Sequence, residues 1–219
     1  MTRVTVVDYL GNLGSVSRAL AWLGAEADVT DSPQRILDAT HLILPGDGAF
    51  GYGMQQLRDK ELVEPIGEFI ASGRPFLGIC VGMQLLMSES EEFGLHTGLD
   101  VIPGRVVPFP KGSFKVPHIG WSFLSTAGAA VNGQEGPAPA WQGTILADLK
   151  AGDSVYFVHS FLAVPAEEAH NVAETEYGGR PFCAVIARNN VTGCQFHPEK
   201  SGPVGLRILK RFVELRSNT

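Results

Sequence analysis

The segment from Phe76 to Leu86, with the sequence FLGICVGMQLL, decides how the first half of the chain is interpreted. Cys80 stands in it between Gly78 and Gly82, and almost every other position is apolar. The apolar run that leads up to the cysteine predicts a buried strand, and the segment VGMQLLMSES that begins after it predicts a helix. Cys80 is therefore either a small side chain in the core or a nucleophile on the turn between the two elements.

Strand and helix patterns alternate through the residues around this turn. Two stretches with apolar residues at helical spacing, residues 13–24 and 53–73, separate short apolar or β-branched runs. This alternation predicts an α/β fold with a mostly parallel, doubly wound central sheet flanked by helices. The strand-like runs are RVTVVD at 3–8, AEADVT at 25–30, THLIL at 40–44 and PFLGI at 75–79.

The second half of the chain consists mainly of short strand-like pieces separated by turn residues. They predict additional antiparallel strands beside the parallel sheet. The Gly-, Ala- and Pro-rich segment Ser125–Gly143 predicts an irregular surface loop, and residues 202–216 predict a closing amphipathic helix. Since the chain has 219 residues and no stretch that resembles a domain linker, we expect residues 1–219 to form a single domain.

Composition and charge narrow the possible classes of function. A net charge of -6 argues against general binding of nucleic acid or of anionic membranes, because both require a basic surface. The sequence lacks the apolar run of about 18 residues that a membrane span requires, and its start lacks the pattern of a signal peptide. Three cysteines are too few for a disulfide framework, so we expect a cytoplasmic protein in a reducing environment.

The pattern Gly78-Ile79-Cys80-Val81-Gly82 is the cysteine form of the G-x-S-x-G nucleophile elbow. The glycines permit a tight turn that lifts the nucleophile clear of the strand, and the N-terminus of the following helix favours a thiolate. The backbone N–H of Val81 can donate to an oxyanion. A lone cysteine in an apolar run is more often inert, but the two glycines between a strand and a helix favour a nucleophile.

A cysteine nucleophile needs a base, and the sequence favours His197 in the segment CQFHPEKS. This histidine ends a strand-like run, and in an extended backbone His197 and Glu199 point the same way. Glu199 would then hold the imidazole tautomer and stabilise its charged form. A loop histidine beside a surface glutamate is common, so His197 and Glu199 indicate a catalytic site only in combination with the cysteine elbow.

Metal chemistry is the weaker alternative for these residues. The cysteines and histidines show no C-x-x-C or H-x-x-x-H spacing, so we expect neither a metal nor another cofactor. Cys183 and Cys194 fall within strand-like runs and are expected in the core. Cys194 lies close to His197 in the sequence, which makes it the second candidate nucleophile, although nothing else about it resembles an elbow.

A second glycine-rich loop, LPGDGAFG at residues 44–51, follows the third predicted strand. It lacks the lysine of a P-loop and the glycine order of a dinucleotide-binding loop. In elbow enzymes a second oxyanion donor comes from another loop at a strand end. We therefore expect Gly46, Asp47 and Gly48 to supply that donor.

The elbow GICVGMQLL together with QFHPEKS resembles the class I, triad-type glutamine amidotransferases. Within this family the chain is most similar to the glutaminase subunits of imidazole glycerol phosphate synthase, which serve histidine biosynthesis. The resemblance covers nearly the whole chain except Ser125–Gly143. The segments that narrow it are LILPGDGAFG, GLDVIPGRVVPF, KVPHIGWSF, YFVHSF and SGPVGLRILKRF.

The resemblance implies that Cys80 attacks the side-chain amide of glutamine, that His197 transfers the protons and that Glu199 orients His197. Ammonia would pass, without meeting bulk water, to a (β/α)₈-barrel cyclase that forms a heterodimer with this chain. Contacts to the glutamine are implied for Gln84, Tyr156, His159 and Ser160. Contacts to the partner are implied for Asn12, Trp121 and Lys200.

Two features depart from the usual pattern of the family. Asp47 stands where a small apolar residue is usual, and a carboxylate there would oppose negative charge on the reaction intermediate. We expect Asp47 either to point away from Cys80 or to help keep the isolated subunit inactive. The segment DYLGNLGSV is one residue shorter than the usual loop, which affects the geometry around Asn12.

Other functions fit the same residues. The glutaminase subunit of a different amidating synthase, or a free-standing γ-glutamyl hydrolase of the same fold, would use the same three side chains. A non-catalytic binding subunit would need none of them, so the presence of Cys80, His197 and Glu199 argues against it.

Overall fold

The structure is a computed structural model that describes residues 2–11, 13–112, 114–128, 136–137 and 139–216. The first part of the chain alternates between strands and helices. Its strands are β1 (Arg3–Val7), β2 (Glu26–Thr30), β3 (Leu42–Leu44) and β4 (Phe76–Ile79). Its helices are α1 (Leu13–Trp22), α2 (Pro33–Leu37), α3 (Phe50–Asp59), α4 (Val63–Ala71) and α5 (Val81–Gln84).

The remainder of the chain is mainly strand and ends in one long helix, α6 (Gly202–Glu214). Short 3₁₀ turns occupy Pro139–Trp141, Glu168–His170 and Pro198–Lys200. The first six strands are β5 (Glu89–Ser90), β6 (His96–Thr97), β7 (Gly104–Pro108), β8 (His118–Phe123), β9 (Ser125–Thr126) and β10 (Gly136–Pro137). The last six are β11 (Lys150–Ala151), β12 (Ser154–His159), β13 (Phe161–Pro165), β14 (Asn171–Tyr177), β15 (Arg180–Arg188) and β16 (Val191–Cys194).

The main sheet has the strand order β2-β1-β3-β4-β16-β15-β14-β9 in the part of the chain that the structure describes. All neighbours from β2 to β16 are parallel. The strands from β16 to β9 are antiparallel to one another. The predicted fold class, a mostly parallel doubly wound sheet with added antiparallel strands, is confirmed. Because β4 and β16 are parallel neighbours, their carboxyl ends lie side by side at one edge of the sheet.

The strands at the centre of this sheet are covered on both faces. Consecutive residues of β3 are fully buried, as are most residues of β1 and β4. A run of buried residues without alternation is typical of a parallel strand between two layers of helices. The helices form two groups, since α1 contacts α6 while α2 contacts α4. The fully buried side chains of these strands include Val4, Val6, Leu42, Ile43, Leu44 and Leu77.

Two predicted helices are shorter in the structure. The stretch 53–73 forms two helices, α3 and α4, because Glu61 adopts φ 56° and ends the first one. The stretch after Cys80 remains helical only to Gln84. Beyond it the carbonyl oxygen of Leu85 accepts from the N–H of Leu99 at 2.8 Å, so the returning chain takes the place of a further helical turn.

The expected irregular loop at Ser125–Gly143 is partly structured. Residues 129–135 and 138 lie outside the described residues, but strand β9 at the start of the segment pairs with β14. Trp141 near its end is fully buried and donates from Nε1 to the carbonyl oxygen of Val172 at 3.1 Å. The prediction of a surface loop is therefore wrong for both ends, because they attach to the main sheet.

Smaller sheets contact the antiparallel side of the main sheet, through β13 against β15 and β8 against β14. Strands β8 and β12 form an antiparallel pair, and β13, β7, β5 and β6 form another sheet in that order.

Within the described ranges, none of the helices combines the length and the apolar character needed to cross a membrane.

Candidate active site

Cys80 lies on the turn that joins β4 to α5, with backbone angles of φ 55° and ψ -111°. A residue other than glycine rarely adopts such angles, and holding it there costs on the order of 1–3 kcal/mol. The Cys80 N–H donates to the carbonyl oxygen of Cys194 on β16 at 2.7 Å, which ties the turn to the neighbouring strand. The strained turn brings Cys80 to the wall of a cavity although the residue is only 4% exposed.

Both glycines of the elbow are required by packing. A Cβ atom on Gly78 would lie 2.6 Å from the carbonyl oxygen of Gly82. A Cβ atom on Gly82 would collide with the carbonyl oxygen of Leu44 at the end of β3. Since backbone atoms occupy the space in both cases, neither position accommodates a side chain without a shift of the main chain.

His197 follows β16 and is joined to Glu199 by a hydrogen bond of 2.8 Å between Nδ1 and Oε1. Because a carboxylate oxygen accepts, Nδ1 carries a proton, and Nε2 takes no part in this bond. The His197 N–H donates to the Tyr156 carbonyl at 2.9 Å, and the Ser201 hydroxyl donates to the His197 carbonyl at 2.6 Å. These bonds fix the backbone that carries the imidazole.

The surroundings of His197 favour its charged form. Burial by itself would lower the pKa of the imidazole, but interactions with the Cys80 and Glu199 side chains outweigh it and raise the pKa to about 10. Nε2 is buried and has no partner with full hydrogen-bond geometry among the described residues. Cys80 therefore contributes to the raised pKa of the imidazole without completing a hydrogen bond to it.

A cavity of about 430 Å³ opens beside Cys80. Its volume lies in the range of pockets that bind small molecules. Tyr156 and Trp121 are not among its lining residues, and Asn12 lies outside the described residues. Cys194, the second candidate nucleophile, is fully buried and does not line the cavity. The other predicted site residues do line it: Gly46, Asp47, Gly48, Cys80, Val81, Gln84, His159, Ser160, His197, Glu199 and Lys200.

The loop with the predicted oxyanion donors packs directly against the start of α5. A Cβ atom on Gly46 would lie 2.9 Å from the backbone nitrogen of Gly82 and 3.0 Å from the Cβ of Val81. On the same side, the hydroxyl of Tyr9 would lie 2.5 Å from that Cβ. The absence of a side chain at Gly46 thus allows the loop and the first helical turn to approach the same point beside Cys80.

Asp47 and Gly48 in this loop are exposed. The Tyr9 hydroxyl below them is buried, and that burial, together with the charges of Cys80 and Asp47, raises the pKa of Tyr9 above its usual range. Asp47 is therefore near enough to the site to act on its charges. Its exposure to water weakens this effect, because solvent screens exposed charges far better than buried ones.

His159 and His118 form a hydrogen-bonded pair of neutral histidines. Nδ1 of His159 donates to the carbonyl oxygen of Phe161 at 2.9 Å, and its Nε2 lies 3.2 Å from Nδ1 of His118. Burial lowers the pKa of His159 to about 3 and that of His118 to about 4, so both rings are neutral at pH 7. His118 then donates to His159 and accepts from the Ser122 hydroxyl at 3.1 Å, which fixes both tautomers.

Gln195 is a polar residue next to Cys80 that sequence reasoning missed. It is fully buried, and its Nε2 donates to the sulfur of Cys80 at 3.8 Å. The signal was present in the sequence, because Gln195 precedes His197 by two positions and alternation along an extended chain puts both on one side.

Glu92 is the second residue that was missed. It lines the cavity, and one of its carboxylate oxygens accepts from the backbone N–H of Phe50 at 2.6 Å. Burial raises the pKa of Glu92, while the bond from Phe50 opposes that change. Glu92 stands among several acidic residues in the segment SESEEFG, and no local pattern separates it from its neighbours.

Tyr156 and Trp121 form a cross-strand pair at the surface beside the site. They are direct partners in the β8–β12 ladder, and their ring centroids are 6.0 Å apart. Trp121 is 56% exposed. Tyr156 reaches the site through its carbonyl oxygen, which accepts from the His197 N–H, rather than through its ring. Lys200 is exposed at the end of the turn that follows His197.

The fold and this site define the class of the protein. The sequence model of the family glutamine amidotransferase class-I matches residues 5–215, and the chain belongs to this family. A solved glutamine amidotransferase has a TM-score of 0.71 at 19% identity, with 96% of this chain and 97% of that chain covered. PurLQS from Thermotoga maritima has a TM-score of 0.67 at 19% identity, with 96% of each chain covered. At these identities the likeness concerns the fold alone.

Curated relatives are much more similar in sequence. The chain is 50% identical over 219 residues to the imidazole glycerol phosphate synthase subunit HisH of Syntrophotalea carbinolica, covering 97% of this chain and 100% of the relative. It is 46% identical over 221 residues to subunit HisH 1 of Legionella pneumophila strain Paris, covering 98% and 100%. The prediction of an enzyme of the glutamine amidotransferase family is confirmed.

Proposed function

We propose that this chain is the glutaminase subunit of an imidazole glycerol phosphate synthase and supplies ammonia for histidine biosynthesis. The observation that carries the proposal is the link from Glu199 to His197 beside Cys80, on the wall of a cavity of small-molecule size. The names of relatives that are 46% and 50% identical over their full length support the choice of synthase. The subunit would act as one domain in a cytoplasmic heterodimer.

The first half of the reaction forms a thioester. The Cys80 thiolate attacks the side-chain carbonyl carbon of glutamine, and the carbonyl oxygen of the glutamine becomes negatively charged. The N–H of Val81 and backbone donors of Gly46–Gly48 would stabilise that oxyanion. His197 then gives the proton on Nε2 to the departing nitrogen, so ammonia leaves and the γ-glutamyl thioester remains on the sulfur.

The second half of the reaction restores the enzyme. His197, now neutral, takes a proton from a water molecule that attacks the thioester carbonyl. The carbon–sulfur bond breaks, glutamate is released, and Cys80 returns as a thiolate beside the reprotonated imidazole. Glu199 supports both halves, because its hydrogen bond to Nδ1 holds the ring in the tautomer that exposes Nε2.

The polar groups of the cavity match the two ends of a glutamine. Gln84 uses both N–H groups on the Phe161 and Gln195 oxygens, so only its carbonyl oxygen remains for the substrate. The Glu92 carboxylate is complementary to the α-ammonium group. Ser160 would add a polar contact, and His159, whose two ring nitrogens are already bonded, would add a van der Waals contact, with Tyr156 acting through its backbone link to His197.

The exposed face of β8 is the surface that we assign to the cyclase. Ile119, Trp121 and Phe123 alternate along this strand and are 60%, 56% and 57% exposed. Large apolar side chains grouped on one face of a strand are typical of a protein–protein contact. The face adjoins Tyr156 and so the active site, which suits a transfer of ammonia between subunits. Asn12 and Lys200 are assigned to the same contact by resemblance.

A coupled assay tests the proposal. Glutamate release is measured with the isolated subunit and after addition of the cyclase and its nucleotide substrate, and the partner is expected to raise it strongly. The variant Cys80→Ala should abolish synthesis from glutamine yet leave synthesis from added ammonium salts intact. Wild-type rates from glutamine in Cys80→Ala would refute the proposal, and high activity without the partner would point to a free-standing hydrolase.

A further inference from the structure

Two side-chain amides form a chain of hydrogen bonds behind the nucleophile. Nε2 of Gln84 donates to the carbonyl oxygen of Phe161 at 3.2 Å and to Oε1 of Gln195 at 2.9 Å. Nε2 of Gln195 in turn donates to the sulfur of Cys80 at 3.8 Å. Gln84 is 3% exposed and Gln195 is fully buried, so this chain is removed from competition with water.

The chain has a fixed direction. A primary amide has two N–H donors on its nitrogen and acceptor sites on its oxygen alone. The Phe161 carbonyl oxygen can only accept, so the Gln84 nitrogen must face it. The same nitrogen donates to Gln195, so the Gln195 oxygen must face Gln84. The Gln195 nitrogen is therefore turned toward the sulfur. The reverse orientation would leave two buried nitrogens facing each other, which is costly in a buried site.

We propose that Gln195 is a catalytic hydrogen-bond donor to the Cys80 thiolate, and that Gln84 is a positioning residue that holds the Gln195 amide in its donating orientation. The inference rests on the proposed role of Cys80 as the nucleophile. An N–H directed at sulfur stabilises the thiolate over the thiol. The same donor faces the sulfur when the thioester breaks, so it also stabilises the departing thiolate in the second half of the reaction.

A neutral donor complements the imidazolium in this site. His197 loses its proton to ammonia during each cycle, so its charge is not available to the sulfur at every step. The Gln195 amide has no proton to transfer and remains a donor throughout. The other titratable groups around Cys80 are Tyr9 and Asp47 on the side of the oxyanion loop, and His159 and Glu199 beside His197. Glu92 and Lys200 line the same cavity. All of them are unchanged in the variants below.

The test measures the pH dependence of Cys80 alkylation by iodoacetamide, a neutral reagent that reacts with the thiolate. In Gln195→Met, which keeps the length of the side chain and removes the donor, the midpoint of the alkylation profile should rise by about one pH unit. Below the midpoint the rate should then fall about tenfold, while the plateau at high pH stays close to wild type. An unchanged midpoint in folded Gln195→Met overturns the proposal.

Gln84→Met separates positioning from direct contact. This change leaves Gln195 in place but frees the Gln195 amide to rotate. The midpoint of the alkylation profile should therefore rise by less than in Gln195→Met. In the double variant the change at Gln84 should add nothing, because it acts only through Gln195. Additive shifts would refute the positioning role. If Gln195→Met does not fold, Gln84→Met decides, and a wild-type midpoint in that variant overturns the proposal.

Thr175→Val is the matched control. Thr175 is a fully buried polar residue on β14 of the same sheet, and its loss should leave the alkylation profile unchanged. A shift in the control as large as in Gln195→Met would assign the effect to general loosening of the sheet and overturn the inference. Alkylation needs no glutamine turnover. If the variants shift as expected but the wild-type protein hydrolyses no glutamine even with the cyclase present, the proposed function is refuted and the hydrogen bond from Gln195 to the Cys80 thiolate still stands.

Discussion

The charge on His197 depends on two neighbouring side chains, of which Glu199 can be changed without removing the nucleophile. In Glu199→Gln the pKa of His197 should fall, and the new amide can donate to Nδ1 and favour the wrong tautomer. By analogy with other triads, kcat should fall on the order of 10³–10⁴-fold. The measurement is partner-activated glutamate release. Glu176→Gln, an exposed change on β14, is the control and should keep wild-type kcat; a fall of less than tenfold at Glu199 would contradict the assigned role.

The raised pKa of His197 also makes part of the free energy of unfolding depend on pH. The folded protein keeps this proton up to about pH 10, whereas an unperturbed histidine loses it near 6.5. The contribution is therefore fully present below pH 6.5 and is lost as the pH rises through about 10. Urea unfolding of wild type and His197→Gln should show a stability difference that shrinks over this interval. A difference that grows with pH would contradict the assignment.

The exposed carboxylate of Asp47 is expected to have little effect on the activated enzyme. Asp47→Val removes the charge beside the oxyanion loop, and partner-activated kcat should stay within about twofold of wild type because water already screens the carboxylate. The assay is glutamate release with and without the cyclase. A large gain with the partner present would show that Asp47 opposes the oxyanion, and a gain only without the partner would show that it restrains the isolated subunit.

The join between β4 and α5 tolerates no added atoms. Gly82→Ala places a methyl group against the carbonyl oxygen of Leu44, so the elbow or β3 must shift, at a cost of about 1–3 kcal/mol in the free energy of unfolding. Gly67→Ala in α4 is the matched control, because nothing lies within 4 Å of the added Cβ. That change should stabilise the protein by about 0.5–1 kcal/mol through helix propensity. Thermal and urea unfolding give both values; a neutral Gly82→Ala would contradict the steric account.

Elements with a strong local pattern could be predicted from the sequence, and those set by distant contacts could not. The glycines around Cys80 and the pair His197–Glu199 are local patterns, and the residues that they predicted lie together at one cavity. The helix after Cys80 ends early because Leu99 returns to bond Leu85, a contact that no local pattern encodes. Trp141 is buried by attachment to β14 for the same reason. Glu92 enters the cavity through the fold of β5 and its neighbours, so its role needed the structure.

On the scale of the whole molecule, the β8 face should control assembly with the cyclase. Trp121→Ala removes a 56% exposed ring from the centre of that face and should weaken the complex at least tenfold, since large aromatic side chains dominate interface energies. Isothermal titration with the purified cyclase gives the affinity. Trp22→Ala is the control, because Trp22 is 74% exposed on α1 away from this strand. Equal affinities for wild type and Trp121→Ala would exclude this face as the contact.

The position of β16 next to β4 has a consequence for how the protein matures. Cys80 and His197 meet through a pairing between strands that are far apart in the sequence, and the N–H of Cys80 is held by Cys194 of the later strand. During synthesis the elbow leaves the ribosome long before its base, since chains emerge at about 5–20 residues per second. Until β16 docks, the cysteine has neither the imidazole nor the Gln195 donor beside it. The base and the hydrogen-bond donor of the proposed nucleophile therefore reach it together, when β16 pairs with β4.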